Sequence, residues 1–228
     1  MLAEGPAVIL VEPQLGENIG MVARAMANFG LAELRIVAPR DGWPNPKAEA
    51  AASGAIHVIE GVRLFDTLAE ALSDSTYAVA TTARQREGFK TVLGPVEAAR
   101  NLRQRHAGGS KTAIVFGRER FGLYNEEVGL ADDIVTFPVN PAFASLNLAQ
   151  AVLLMSYEWM KSGTGEGEAL PFAGPEFAPA PKENLYGLFD QLEQALESRG
   201  YFRPPERKPV LVENFRAVFT RAGFSSEE

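Results

Sequence analysis

An α/β fold, a mostly parallel sheet flanked by helices, is predicted by two features of this chain. Short apolar runs rich in β-branched residues alternate with longer segments whose apolar positions recur at helical spacing. The chain is also long enough, at 228 residues of which 46% are hydrophobic, to bury one substantial core and a small appendage.

The first run, Val8 to Val11, reads as a buried strand. Ile19, Val22, Ala23 and Met26 then share one face of a helix that ends at Gly30. Further strands are expected at Leu34 to Val37, His57 to Ile59, Tyr77 to Ala80, Thr112 to Phe116 and Ile134 to Phe137. Helices are expected over Ile19 to Phe29, Ala48 to Ala52, Leu68 to Leu72, Val96 to His106, Asn125 to Ala131 and Leu146 to Lys161. Strand and helix in alternation put helices on both faces of the sheet.

A body of residues 1–161 is expected to end there. Residues 162–182, punctuated by Gly163, Gly165, Gly167, Pro171, Gly174, Pro175, Pro179 and Pro181, read as a linker without regular structure. Beyond it lies a small helical C-terminal extension, residues 183–228. Leu185, Leu188, Phe189, Leu192 and Leu196 mark one amphipathic segment, and Phe215, Val218 and Phe219 a second. Neither can bury its apolar face alone, so the extension is expected to dock on the body, a partner subunit or a ligand. Its Arg199, Arg203, Arg207, Lys208, Arg216 and Arg221, interleaved with Tyr201, Phe202, Phe215 and Phe219, would suit phosphate and base contacts.

Composition narrows the function classes. There is no cysteine, which excludes a disulfide framework and a thiolate metal site, and His57 and His106 are too isolated to suggest an imidazole one. No apolar run approaches the ~20 residues of a membrane span, and the N-terminus lacks a basic stretch before its apolar one. A soluble cytoplasmic protein is expected. The net charge of −7 argues against coating nucleic acid by bulk charge. Between Arg84 and Arg120, however, Arg84, Arg86, Lys90, Arg100, Arg103, Arg105, Lys111, Arg118 and Arg120 face only Glu87, Glu97 and Glu119. Such a basic island on an acidic body could capture a polyanion.

Three segments carry the chemistry. The first strand feeds a helix whose opening holds Asn18, Gly20 and Arg24: an amide, a residue that permits close approach, and a guanidinium. That corner would suit a phosphate-bearing substrate, though Asn18 as a helix cap and Arg24 as a surface residue would serve equally. The second segment, Ile114-Val115-Phe116-Gly117-Arg118-Glu119-Arg120-Phe121-Gly122-Leu123, is a strand entering a charged turn bracketed by glycines. In the third, Phe137-Pro138-Val139-Asn140-Pro141 is followed by Ser145-Leu146-Asn147-Leu148.

In that order and spacing, Asn-x-Gly-x-x-x-Arg, Phe-Gly-x-Glu and Ser-Leu-Asn resemble the three motifs of the SPOUT superfamily of RNA methyltransferases, in the SpoU class that methylates ribose 2′-hydroxyls. The resemblance covers about residues 7–161, and Asn140-Pro141 favours the bacterial tRNA-modifying subgroup. It implies a deep trefoil knot between about Thr81 and Lys161, a homodimer, RNA (most closely tRNA) as partner, S-adenosyl-L-methionine as cofactor and no metal. It nominates Thr81, Thr82, Ala83, Gly117, Phe137, Ala144, Ser145 and Leu146 for the cofactor, and Asn18, Arg24, Glu119, Ser145 and Asn147 for catalysis. In that scheme Arg24 acts electrostatically, because a guanidinium does not deprotonate. Asn18 would orient ribose or phosphate, Ser145 would contact the hydroxyl, Asn147 would brace the loop, and Glu119 would pair with a basic neighbour, a helix-start or salt-bridge role serving equally. Other readings are an rRNA methyltransferase, a catalytically silent RNA-binding relative, and a dinucleotide-binding oxidoreductase. The last lacks the Gly-x-Gly-x-x-Gly loop and would set Glu17 against the pyrophosphate.

Overall fold

The computed structural model describes residues 5–84, 90–164, 172 and 178–227. By internal contacts the chain divides into two units, Met1–Ala169 and Leu170–Glu228. In the first, β1 (Ala7–Val11), α1 (Gly16–Asn28), β2 (Leu34–Val37), α2 (Pro46–Ala52), α3 (Ile56–Glu60), β3 (Arg63–Phe65), α4 (Leu68–Leu72) and β4 (Tyr77–Thr81) follow one another. Next come β5 (Val92–Leu93), α5 (Pro95–Ala107), β6 (Thr112–Phe116), α6 (Asn125–Gly129), β7 (Asp133–Val135) and α7 (Leu148–Gly163). The second unit holds α8 (Lys182–Ser198) and α9 (Lys208–Ala222).

Among the described residues the strands form one sheet in the order β3-β2-β1-β6-β4-β7-β5, every pair parallel. Both sheet faces are covered, which is why the central strands read as nearly continuous apolar runs rather than alternating ones. In β1, Val8 and Leu10 enter a core shared with Ile19, Met26, Leu102, Val152 and Trp159, whereas Ala7, Ile9 and Val11 enter a second core with Leu68, Ala71, Val128 and Ala131. Residues of α1, α2, α3, α5 and α7 thus join the first core, and residues of α4 and α6 the second.

Several expectations are corrected. His57 to Ile59 lies in helix α3, not in a strand; three apolar-flanked residues carry too little periodicity to separate the two states. The run at Ile134 forms β7 only as far as Val135, leaving Phe137 in the loop beyond. Strands β3 and β5 have no counterpart in the sequence reading, being only three and two residues long. Helix α7 continues through Ser162 and Gly163, and α8 begins at Lys182; most of the intervening stretch lies outside the described residues.

In the second unit, α8 and α9 supply each other's apolar partner. Phe189 is buried with its ring edge-on to Phe215, 6.0 Å between centroids, and Phe215 meets Phe219 at 6.1 Å. Arg216 pairs with Glu193, and Lys208 with Glu197. The two segments therefore do not rely solely on docking elsewhere, and two of the cations offered for phosphate contact are paired internally.

Candidate functional site

In a parallel sheet all carboxyl ends lie along one edge, and ligands of open α/β sheets bind outside that edge. Here the loops after β4, β6 and β7 enclose a cavity of about 330 Å³. Thr81, Thr82, Ala83, Gly117, Phe137, Ala144, Ser145 and Leu146 all line it, so the structure brings together every residue nominated for the cofactor. Phe116, Val139, Leu148 and Ala151 add apolar wall, and Arg84, Glu119, Arg120 and Phe121, none of them nominated for the cofactor, complete much of the rest.

The wall after β6 is a tight loop. Arg118 and Gly122 exchange both backbone hydrogen bonds, at 3.3 and 2.9 Å. A Cβ on Gly117 would lie 2.3 Å from the Gly122 carbonyl carbon, so the loop folds back closely enough to demand glycine. Its anchor is Arg118, a buried guanidinium that donates to both carboxylate oxygens of Glu12 and of Glu127. The Tyr124 ring lies 4.2 Å from its Cζ. Its hydrogen bonds with Glu12 and Glu127 raise the Arg118 pKa against the effect of burial, and the same contact holds the Glu12 carboxyl below its ordinary value. The glycine bracket was visible in the sequence; the two acidic partners were not.

Glu119 has a different partner from the one expected. Its carboxylate accepts from the backbone N–H of Gln14 (2.9 Å) and Leu15 (3.2 Å) and from Asn18 Nδ2 (3.1 Å), and among the described residues no basic side chain hydrogen-bonds to it. Leu15, the residue before α1, offers no side-chain cap. Glu119 therefore brings a carboxylate to the helix start, where free N–H groups and the positive end of the dipole favour one.

Asn18 lies inside α1, past the cap position at Leu15, and its amide is held by two protein partners. It is 4% exposed, gives Nδ2 to Glu119 and accepts through Oδ1 from Asn147 Nδ2 at 3.1 Å. Asn147 in turn caps α7 by accepting from Ala149 N at 2.9 Å. Three nominated side chains thus form one chain of hydrogen bonds joining the start of α1, the β6 loop and the start of α7. Only Glu119 of the three lines the cavity.

Gly20 is also reassigned. A Cβ there would sit 2.2 Å from the Ala48 carbonyl oxygen and 2.7 Å from Ala51 Cβ, so its role is to let α1 and α2 touch, not to admit a ligand. Arg24 lies apart from the cavity, on the exposed stripe of α1 with Glu17 and Met21. Among the described residues it has no hydrogen-bond or ion-pair partner.

The basic island is largely spent within the fold. Arg118 is clamped as described, Arg103 donates to the Trp159 carbonyl and stacks 3.5 Å from its ring centroid, and Arg105 covers Tyr77 at 4.0 Å. Lys90 donates to the carbonyls of Gly129 and Ala131, and Lys111 pairs with Asp74. Arg84, Arg100 and Arg120 remain exposed, while Arg86 lies outside the described residues. Among the described residues no cluster of His, Asp or Glu could hold a metal, and no helix is long and apolar enough to cross a membrane.

The model of the SpoU rRNA methylase family matches residues 5–157. A tRNA (cytidine/uridine-2′-O-)-methyltransferase TrmJ from Klebsiella pneumoniae is 38% identical over 228 residues, 97% of this chain and 90% of that protein. A tRNA (cytidine/uridine/adenosine-2′-O-)-methyltransferase TrmJ from Pseudomonas aeruginosa is 35% identical, covering 97% and 88%. Among solved structures, TrmJ from Z. mobilis superposes with a TM-score of 0.86 at 47% identity, covering 98% of this chain and 94% of the other.

Proposed function

The chain belongs to the SpoU methylase family, and on that premise we propose that it transfers a methyl group from S-adenosylmethionine to a ribose 2′-hydroxyl of tRNA. The observation that carries this reading is the cavity at the carboxyl edge of β4, β6 and β7, because its residues fit the donor molecule. Its volume lies at the small end of the usual range for ligand pockets. Phe137, Leu146 and Leu148 offer apolar surface to a base, while Thr81, Thr82 and Ser145 offer hydroxyls. Bound there, the cofactor would supply an electrophilic methyl on sulfur.

The chain's own residues position and polarise the acceptor. Ser145 is exposed in the cavity wall, where its hydroxyl can meet a ribose. The Glu119 carboxylate already accepts three N–H groups, which argues for a bracing role over that of a proton acceptor. Arg24 would hold a phosphate and stabilise negative charge developing on the 2′-oxygen, and the proton would pass to phosphate or water.

Arg24 can serve the cavity if a second copy delivers it, and a homodimer is part of this reading. Its support is an exposed apolar stripe on α7, Leu153, Leu154, Tyr157 and Met160, together with Met21 on α1, which packs against α7. A trefoil knot is part of the same reading, and the strand order, with β7 between β4 and β5, accords with it.

The test is incubation with S-adenosylmethionine labelled in the methyl group, offering unfractionated tRNA and rRNA separately, followed by nuclease digestion and mass spectrometry. Label in 2′-O-methylnucleosides of tRNA is expected. Label confined to rRNA, to base-methylated nucleosides, or to neither RNA would overturn the reading.

A further inference from the structure

Two aromatic side chains stand in solvent at the cavity. Phe143, in the short 3-10 turn Pro141–Phe143, is 79% exposed, and the next two residues, Ala144 and Ser145, line the cavity. Phe121, at the tip of the loop after β6, is 49% exposed and lines the cavity itself. Among the described residues, packing within the body buries neither ring. A phenylalanine left in water forgoes the stabilisation that burial would bring, so two exposed rings beside one cavity invite a partner from outside.

The surroundings specify that partner's chemistry. Arg120 lies beside Phe121, with Cζ 5.9 Å from the ring centroid, and Arg84 borders the same cavity. Both are exposed. Flat apolar faces beside exposed guanidinium groups match a nucleotide, whose base stacks and whose phosphate pairs. In a single-stranded loop the bases are splayed out of the stack, so a ribose can offer its 2′-hydroxyl to the Ser145 end of the cavity while its base is free to stack on an exposed ring. We propose that Phe121 and Phe143 form a stacking platform for the unstacked nucleobase at or next to the modified position, with Arg120 and Arg84 taking the flanking phosphates. This rests on the RNA methyltransferase reading. Stacking is indifferent to base identity, because every base has a π-face, so the platform would accept more than one base at the target position.

The experiment uses the full chain and unfractionated tRNA. Phe143→Trp places a fluorophore on the platform, and titration with tRNA should quench its added emission, measured against the wild-type background of Trp43 and Trp159. Phe143→Ala and Phe121→Ala should each weaken tRNA binding by roughly 5- to 100-fold. Phe143→Tyr should retain affinity, and Phe143→Ala should bind S-adenosylmethionine as wild type does. No quenching, or unchanged tRNA affinity in both alanine variants, overturns the platform. A Phe143→Ala chain that changes its mass in solution along with its tRNA affinity assigns the ring to an interface between copies and also overturns it. Methyl transfer by the wild type, run in parallel, separates the two levels. If the wild type transfers and the platform tests fail, only the platform falls; if it transfers nothing to RNA, the enzymatic reading falls and the platform with it.

Discussion

The carboxamide of Asn18 lies between Glu119 and Asn147, giving a hydrogen bond to one at 3.1 Å and taking one from the other at 3.1 Å. An amide can do both at once, whereas a carboxylate only accepts and an alkyl group does neither. Asn18→Asp therefore turns a donor toward Glu119 into a second acceptor in a buried site. The expected cost is about 3 kcal/mol by urea denaturation at pH 7, against roughly 1–2 kcal/mol for Asn18→Ala. Burial and the neighbouring carboxylate would raise the pKa of the introduced carboxyl on folding. The Asn18→Asp chain should thus regain stability relative to wild type as pH falls below about 5. Equal costs for the two variants at pH 7 would contradict the donor-acceptor arrangement.

Arg24→Ala is expected to leave the melting temperature and cofactor affinity unchanged, since the side chain is exposed and has no partner among the described residues, while methyl transfer falls by ~10²-fold or more. Arg24→Lys should restore little, because an ammonium lacks the planar fork. Leu146→Asp, which puts a charge in the cavity wall, should abolish cofactor binding. If each site combines one copy's cavity with the other's Arg24, mixing these two inactive chains should recover activity in the heterodimers. A monomer that is fully active, or a mixture that stays dead despite exchange of subunits, would refute the shared site.

Gly20→Ala should destabilise the fold by about 1–3 kcal/mol, because the new methyl meets the Ala48 carbonyl oxygen at the contact between α1 and α2. At a temperature where the variant remains folded, cofactor affinity should match wild type. Weakened cofactor binding with unchanged stability would return Gly20 to the site.

Acid stability should report on Asp74. Its hydrogen bond with the buried Arg35 holds the carboxyl at about 2, against an ordinary 3.8, and Lys111 assists. The folded value lies below the unfolded one, so this stabilisation is complete above about pH 4 and disappears as pH falls through about 2. After discounting for partial exposure, Asp74→Asn should cost roughly 1–2 kcal/mol at pH 7 and almost nothing near pH 2. Parallel stability curves for the two chains would show that Asp74 carries no pH-dependent term.

The sheet was legible because β1, β4 and β6 are buried on both faces and so read as unbroken apolar runs. Strands as short as Arg63–Phe65 and Val92–Leu93 leave no such trace, and their place is set by the neighbours they join at the sheet edges. Cavity residues were found through order and spacing of motifs, since each follows a strand end. Partnerships were beyond reach: nothing near Glu119 in sequence points to Asn18, 101 positions away. Counting charges likewise could not reveal that Arg103 lies on Trp159 or that Arg118 sits between two glutamates.

The position of β6 sets a timetable for synthesis. Val8 of β1 pairs with Leu34 on one side and with Ile114 on the other. As the chain leaves the ribosome, the first edge can close early, while the second waits for a further eighty or so residues, roughly 4–16 s at about 5–20 residues per second. During that interval a nascent β1-β2-β3 ribbon presents an apolar strand with unmet N–H and C=O groups, a template for pairing with another chain. The unit most exposed to misassembly is therefore the half-made sheet, and a chaperone acting on this protein would gain most by covering β1 until β6 arrives.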